Sequence, residues 1–339
     1  MRWRVALAGA LAVASGCERA VDRSRGPLEP WNPPGYVVYA RQPDPPTAIE
    51  PQAFSTCVPS ITPGRHEVEH NGHTRAFVVD LPDVPDGAGP RPLLFAFHGW
   101  GGDPEQLEGT TKIASIAASR GYVVVRPLGF NKSFDGGTCC GLASETHVDD
   151  VGLARVIITQ LAREACVDAG RVYATGFSNG GFLAHRLGCE AADVFTAVAS
   201  VAGTLGIERC APSRPVSVLH IHGKADGIVA FAGNSAKGWR SVATTMDSWT
   251  RTLHCRPDAA DEVFVNGSAR CVRNAACDEG AEATLCRDDK AAHTWPGGPR
   301  SFGFGGSQDL DATETILAFF GRHAREPSGL GGPTVGGLR

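Results

Sequence analysis

The sequence has no excess of positive charge and, after its first twenty residues, no long apolar run. Its 32 lysines and arginines are outnumbered by 36 aspartates and glutamates, which gives a formal net charge of −4. Without a positive balance the chain is a poor match for nucleic acid, so no such partner is predicted. A membrane-spanning helix needs about 20 apolar residues, and no later segment supplies them. The sequence also has no internal repeat.

The eleven cysteines lack the spacing of a metal site. They form no doubled C-x-x-C pattern, and no histidine follows them at zinc-finger spacing. The cysteine pattern therefore predicts no metal site.

The N-terminus has the pattern of an export signal. Basic "MRWR" precedes apolar "VALAGALAVAS" and then Gly16-Cys17, so residues 1–17 are predicted to be a signal peptide. Small residues before a cysteine are typical of bacterial lipoproteins, which predicts a lipid on Cys17 and a membrane tether. Ala14 stands where that pattern prefers a larger aliphatic residue, which leaves an ordinary secretory signal as the alternative. Both interpretations predict an extracytoplasmic protein, secreted or held at the cell surface.

Cysteine number agrees with export. Without Cys17 an even set of ten remains, and in an exported chain such a set predicts disulfides. We expect Cys255 to pair with Cys277 and Cys271 with Cys286. The adjacent Cys139 and Cys140 are expected to bond to different partners.

The remaining sequence divides into three parts. Residues 18–60 are proline-rich and non-periodic, which predicts an extended tether. Residues 61–323 alternate apolar strand patterns with helical patterns and predict a single α/β domain. Its sheet is expected to be mostly parallel with helices on both faces. Residues 324–339 are predicted to be a disordered tail.

Ten elements carry that prediction. Strands are expected within 75–82, 91–99, 122–127, 171–176, 195–203 and 215–223, and helices within 103–121, 148–165, directly after Ser178 and within 310–323. Asp149 or Asp150 is expected to cap the second helix.

"GFSNG", residues 176–180, places Ser178 between glycines at a strand-to-helix junction. This G-x-S-x-G context is typical of a nucleophilic serine, because a tight turn needs small neighbours and lifts the hydroxyl above the sheet. A serine needs a base that is oriented by an acid. Asp226 follows the strand "VLHIHG" and His293 lies in the loop "AAHTWPGG", in the order serine, acid, base. His220 is interpreted as a packed core residue and His222 as a turn residue, and His98 begins the loop "HGWGG".

A serine hydrolase also needs two N–H donors for the oxyanion of its tetrahedral intermediate. The backbone N–H of Asn179, directly after the nucleophile, is the first predicted donor. The loop "HGWGG" supplies the second, which is assigned to Trp100, with Gly101 as the competing residue. The Trp100 indole is also expected to form a wall of the acyl pocket.

Together these stretches resemble secreted α/β-hydrolase esterases of the polyhydroxybutyrate depolymerase and feruloyl esterase type. The matching motifs are "HGWGG", "CCG", "VDDVG", "RVYATGFSNGG", "HIHGKADGIV" and "HTWPGG", in the family's order across roughly residues 90–320. The resemblance implies the α/β-hydrolase fold and hydrolysis of carboxylic esters by Ser178, Asp226 and His293 without a cofactor. Gly227 replaces a proline that usually follows the acid, which predicts a looser loop. Ala292 replaces the glycine that commonly precedes the histidine.

The sequence leaves the substrate open among feruloylated or acetylated polysaccharide, polyhydroxyalkanoate and small esters. Two other functions compete with an esterase: a secreted serine peptidase of the same fold, and a surface lipoprotein that binds polysaccharide without catalysis. The oligomeric state has no signature in the sequence.

Overall fold

A computed structural model describes residues 60–83, 89–298 and 307–325, which fall within one compact unit, 49–339. The predicted signal peptide 1–17, with Cys17, lies outside the described residues. So do the predicted tether, except for residue 60, and the predicted tail, except for residues 324 and 325. No helix in the described ranges is long and apolar enough to cross a bilayer.

A mixed sheet forms the middle of the described domain. Its strand order is β1-β2-β4-β3-β5-β6-β7-β10-β9-β8. The six strands from β4 to β10 in this order are parallel, and the strands outside them are antiparallel. The strands are β1 Gly64–His70, β2 His73–Asp80, β3 Arg91–Phe97, β4 Val123–Pro127, β5 Val167–Phe177, β6 Ala197–Val201, β7 Ser217–Gly223, β8 Ala260–Asn266, β9 Ala269–Asn274 and β10 Ala283–Asp288.

Helices cover both faces of this sheet. Along β3 the side chains of Phe95 and Leu94 enter opposite apolar clusters, as the two-residue period of a strand requires. Helices α4, α5 and α6 pack in the first cluster, and α2 and α7 pack in the second. The helices are α1 Pro104–Thr111, α2 Ile113–Ser119, α3 Gly141–Glu145, α4 Asp150–Glu164, α5 Asn179–Glu190, α6 Val242–Thr252 and α7 Ala312–Phe320. All ten predicted elements fall where the sequence places them, with one change.

That change concerns the helix predicted within 103–121, which is two helices. Lys112 adopts a left-handed conformation, with φ of 56°, and ends α1. The Glu108 carboxylate accepts the N–H groups of Ala114 and Ser115, so it satisfies donors that the start of α2 leaves free. The apolar periodicity continues across this break, which is why the sequence pattern hides it.

At the N-terminus of α4, Asp149 is the capping residue, and its carboxylate accepts the Gly152 N–H at 2.7 Å. The other candidate, Asp150, is fully buried and pairs with Arg75 at 2.6 Å. Burial raises the pKa of Asp150, and the Arg75 guanidinium opposes this effect.

The predicted pairs Cys255–Cys277 and Cys271–Cys286 are both confirmed. Cys271 and Cys286 lie directly opposite each other on the antiparallel strands β9 and β10. A further disulfide joins Cys189 to Cys210, and Cys166 is also disulfide-bonded.

The expectation for Cys139 and Cys140 is wrong, because these neighbours bond to each other across a cis peptide. They do lie in the loop beside the candidate site. The Asn179 side chain, which follows the nucleophile candidate, donates to the Phe134 carbonyl of this loop at 2.9 Å.

Candidate active site

Ser178 stands at a sharp turn between β5 and α5. Its backbone has φ of 54° and ψ of −116°, a conformation that L-residues rarely adopt. A Cβ on Gly176 would overlap the backbone of Gly180, and a Cβ on Gly180 would overlap the Phe97 carbonyl of β3. The two glycines that flank the serine are therefore required by close backbone approach, as the sequence pattern predicts.

The turn is held from several sides. The Ser178 N–H donates to the Val201 carbonyl at the end of β6, at 2.8 Å, and the Ser178 carbonyl accepts from Gly181 and Phe182. Ser178 also occupies the N-cap position of the twelve-residue helix α5. The positive end of this helix therefore faces the space around the serine.

Asp226 and His293 are in direct contact. His293 Nδ1 lies 2.7 Å from Asp226 Oδ2, and both residues are buried, with 7% and 5% of their surface exposed. The other carboxylate oxygen, Oδ1, accepts the N–H groups of Ile228 and Val229, each at 2.8 Å. The carboxylate is thus fixed at both of its oxygens.

Burial alone would raise the pKa of Asp226, but His222 and His293 outweigh burial and hold it well below its ordinary value. An ionised carboxylate can only accept hydrogen bonds, so the short contact places the proton on His293 Nδ1. In the neutral form of the ring, the free lone pair then lies on Nε2.

The loops that carry the acid and the histidine are tied together. Lys224 donates its N–H to the Asp288 carbonyl at 2.8 Å, and Ala225 donates to the Ala291 carbonyl at 3.0 Å. These bonds join the end of β7 to the end of its parallel neighbour β10. Residues 67 positions apart in the chain therefore meet at one edge of the sheet.

Ser178 is not hydrogen-bonded to this pair, but its chain neighbour Phe177 contacts the histidine. The ring of Phe177 packs against the His293 ring with centroids 4.9 Å apart. Within the described residues the Ser178 hydroxyl makes no hydrogen bond. Contacts of this kind often form only when substrate is bound.

The loop "HGWGG" lies over the serine turn. A Cβ on Gly99 would lie 3.4 Å from Ser178 Cβ, so the loop touches the nucleophile candidate. His98 shapes the loop, since its Nδ1 lies 2.8 Å from the Gly99 carbonyl and its Nε2 accepts the Gly129 N–H at 3.0 Å. Burial lowers the pKa of His98, which agrees with a neutral ring that donates and accepts.

Two N–H groups of this loop differ in availability. Gly101 donates its N–H to the Lys132 carbonyl at 2.8 Å and is therefore occupied. The Trp100 N–H has no acceptor among the described residues. The Trp100 side chain is 67% exposed, and its indole nitrogen lies over Gly141 beside the cysteine pair.

No family model matches the chain. The chain is 30% identical over 304 residues to the protein named "Putative esterase NocK" from Nocardia uniformis subsp. tsuyamanensis. The match covers 80% of this chain and 85% of that protein. The chain belongs to this family of esterases.

Other relatives of this esterase carry more specific names. It is 27% identical to feruloyl esterase B of Piromyces equi over 68% of this chain and 44% of that protein. It is 29% identical to the bifunctional acetylxylan esterase/xylanase XynS20E of Neocallimastix patriciarum over 50% and 23% of the two chains. The match thus spans less than half the length of either relative. Because its relatives are named esterases, we conclude that this protein is a carboxylic ester hydrolase.

Solved structures agree on the fold of this esterase. An acetyl xylan esterase from Aspergillus awamori matches with a TM-score of 0.54 over 76% of this chain and 99% of its own, at 11% identity. A thermostable esterase matches with a TM-score of 0.51 over 77% and 63% of the two chains, at 14% identity. Identities this low show the fold alone, and that fold is the α/β-hydrolase fold.

The sequence interpretation missed the surroundings of the acid. His222, interpreted as a turn residue, lies with its Nε2 2.8 Å from the Val229 carbonyl and 3.4 Å from Asp226 Oδ2. His220 is buried, as expected of a packing residue, and contacts His222. The sequence "HIH" on strand β7 could have indicated this arrangement, because His220 and His222 are two residues apart and therefore lie on the same face of the strand.

Proposed function

We propose that this esterase is a secreted serine hydrolase whose catalytic triad is Ser178, His293 and Asp226. The observation that carries the proposal is the buried 2.7 Å contact between His293 Nδ1 and Asp226 Oδ2 beside the strained turn at Ser178. That contact orients a neutral imidazole whose free Nε2 can act as a base.

In the proposed reaction His293 Nε2 takes the proton of Ser178 Oγ as the oxygen attacks the ester carbonyl carbon. Asp226 keeps the Nδ1 proton directed toward itself and stabilises the imidazolium that forms. The imidazolium then protonates the departing alcohol, which leaves an acyl group on Ser178. Water, activated by the same histidine, releases the acid and restores the serine.

The oxyanion is proposed to be bound by the backbone N–H groups of Asn179 and Trp100. The Asn179 N–H belongs to the first turn of α5, where helix N–H groups have no partner within the helix. The unoccupied Trp100 N–H supports Trp100 over Gly101, whose N–H already donates to Lys132. Removal of one such donor typically lowers kcat about 100- to 1,000-fold.

We propose esters linked to polysaccharide, feruloyl or acetyl, as the substrates, with polyhydroxyalkanoate as the alternative that the sequence motifs leave open. The names of the two fungal relatives support the polysaccharide choice. Exposed apolar side chains, Trp100 on the oxyanion loop and Ile228 beside the acid, give a polymer chain a surface to lie on.

Export remains part of the proposal, with Cys17 as the lipid-bearing residue or, alternatively, with an ordinary signal cleaved nearby. Disulfides at Cys189–Cys210, Cys255–Cys277 and Cys271–Cys286 support an oxidising compartment. Metabolic labelling with a clickable palmitate analogue, compared between wild type and Cys17→Ala, tests the lipid directly.

Ser178→Ala tests the triad. Wild type and variant are assayed on p-nitrophenyl acetate, methyl ferulate, acetylated xylan and a 3-hydroxybutyrate oligomer, and both are treated with a fluorophosphonate. We expect turnover and labelling in wild type only, and the best substrate identifies the ester class. Equal activity in both proteins would refute the triad, and hydrolysis of peptides without esters would indicate a peptidase. A wild type that neither reacts nor labels would indicate a binding protein.

A further inference from the structure

Three buried histidines form a continuous hydrogen-bonded chain that ends at the Val229 carbonyl, beside Asp226. His185 Nε2 lies 3.0 Å from His220 Nδ1, and His220 Nε2 lies 3.0 Å from His222 Nδ1. At the far end Trp249 Nε1 lies 3.0 Å from His185 Nδ1. The three imidazoles are 0–1% exposed, and neighbouring rings stack with centroids 5.2 Å apart.

The two ends of this histidine chain fix the direction in which its hydrogen bonds are donated. An indole N–H can only donate, so Trp249 makes His185 Nδ1 an acceptor and leaves the proton on Nε2. The same reasoning passes along the chain: His220 accepts at Nδ1 and donates at Nε2, and so does His222. The last N–H points to the Val229 carbonyl, which can only accept, and lies 3.4 Å from Asp226 Oδ2. Both ends therefore demand the same tautomer at every ring.

The charge states of His185 and His220 agree with this direction. Burial lowers the pKa of His185 to about 3 and lowers that of His220 well below its ordinary value. Neutral imidazoles are the only form that can donate with one nitrogen and accept with the other. Each N–H dipole in the histidine chain has its positive end directed toward the next acceptor, and the last acceptor is the Val229 carbonyl beside Asp226. Dipoles aligned in this way strengthen one another.

The histidine chain also connects the parts of the proposed site. Trp249 belongs to α6, His185 belongs to α5, which begins at the nucleophile, and His222 lies at the end of β7, which leads to the acid. His222 holds the Val229 carbonyl, while the Val229 N–H donates to Asp226 Oδ1. The turn that carries the acid is thus held through both the N–H and the carbonyl of Val229, although the sequence predicts a looser loop at Gly227.

We propose that His222 is a positioning residue for Asp226, and that His220, His185 and Trp249 set the tautomer in which it acts. This inference rests on the proposed triad. His222 touches no reacting atom, and its effect passes through the orientation of the Asp226 carboxylate toward His293. The residues that the sequence presents as a packed core histidine, His220, and a turn residue, His222, are thereby given a role in positioning the acid.

The tautomers are the first test, because they are measured on the wild-type protein. Long-range ¹H–¹⁵N correlation spectra at pH 7, assigned with His→Gln variants, should show His185, His220 and His222 protonated at Nε2. His293 should be protonated at Nδ1. Any of the three chain histidines found protonated at Nδ1 would overturn the proposal.

Kinetics test the role. His222→Phe removes the donor but keeps a ring, and we expect kcat to fall on the order of 10-fold, or about 1.4 kcal/mol, with KM unchanged. His222→Gln retains a donor at a similar distance and should recover most of the activity. In an Asp226→Asn background His222→Phe should cause no further loss, because the two residues act as a unit. Independent, multiplying losses would overturn the proposal.

Trp249→Phe tests the distant end, with Met246→Leu on the same helix as the packing control. Trp249→Phe should lower kcat and shift the His185 nitrogen resonances, whereas Met246→Leu should change neither. Equal kinetics for both variants and wild type would count against an anchored histidine chain.

The outcomes separate the two proposals. If Ser178→Ala keeps its activity or Asp226→Asn is harmless, the triad itself fails. If Asp226→Asn is severe and His222→Phe is folded and fully active, only the positioning role fails. Should His222→Phe not fold, the wild-type tautomers and Trp249→Phe decide.

Discussion

Asp226→Asn changes one atom of the proposed triad and leaves its shape intact. The carbonyl oxygen of the introduced amide could still accept the N–H groups of Ile228 and Val229, which now bond to Asp226 Oδ1. The amide nitrogen would replace Oδ2, 2.7 Å from His293 Nδ1. Since the amide donates there, Nδ1 must accept, and the histidine proton moves to Nε2.

A histidine with its proton on Nε2 cannot take the proton of Ser178. In a serine protease this single exchange lowers kcat by about 10⁴-fold, and the same reasoning predicts a loss of that order here, about 5.4 kcal/mol. KM for p-nitrophenyl acetate should change little, because the substitution leaves the binding surface untouched. Initial rates across a substrate series separate the two constants.

Asp288→Asn is the matched control. Asp288 is as buried as Asp226, ends the neighbouring strand β10, and its Oδ1 accepts the N–H groups of Lys290 and Ala291 in a similar turn. Its Oδ2 has no hydrogen-bond partner among the described residues. We expect near-normal kcat from this variant. A loss below about 10-fold in Asp226→Asn, or equal losses in both variants, would refute the assigned role of Asp226.

Three further predictions concern stability. Gly180→Ala should abolish the folded enzyme, because the new Cβ overlaps a strand carbonyl. Gly227→Ala places its new Cβ where no atom lies within 4 Å, so it should raise the free energy of unfolding by about 0.4–1 kcal/mol. Thermal melts check both glycine variants: a folded Gly180→Ala, or a Gly227→Ala that melts below wild type, would contradict the respective prediction. Burial would raise the pKa of Glu282, but His323 and Arg322 lower it to about 2. Its stabilisation is therefore present above pH 4.5 and lost toward pH 2. Between pH 7 and 2, denaturant titrations of wild type should lose about 3 kcal/mol more than those of Glu282→Gln, and parallel losses would contradict this.

Much of the fold is predictable because its strands are unambiguous. Strand β3 is buried at every residue, and continuous apolar runs of this kind occur in parallel sheets that are covered on both sides. The break at Lys112 is not predictable in this way, because a left-handed residue leaves no trace in apolar periodicity. The cysteine pair at 139 and 140 was misjudged for a similar reason, since spacing does not determine which sulfurs meet.

The strands β8, β9 and β10 extend the sheet through a region that the sequence pattern left unassigned. Strand β8 is exposed along its whole length, so it has no apolar alternation to reveal it. The expected pairing of the two disulfides of this region is nevertheless confirmed, although spacing alone does not fix connectivity. Cys271 and Cys286 face each other across β9 and β10, so the strand register explains why these two sulfurs meet.

The order of residues along the chain predicts which loops can hold a triad, because parallel strands deliver their following loops to one edge. It does not predict which backbone donor is free: Trp100 and Gly101 are equivalent in sequence, and only the bond from Gly101 to Lys132 distinguishes them. The sequence also does not show which residues support the carboxylate of the acid. His222 lies four residues before Asp226 at the end of β7, and in our proposal the direction of its N–H is set by Trp249, 27 residues downstream of it. A triad motif can therefore be intact in a related sequence while the orientation of its acid depends on residues in other elements. Among relatives that all have the serine, the histidine and the aspartate, we expect higher esterase activity where a residue equivalent to His222 directs an N–H toward the turn that carries the acid.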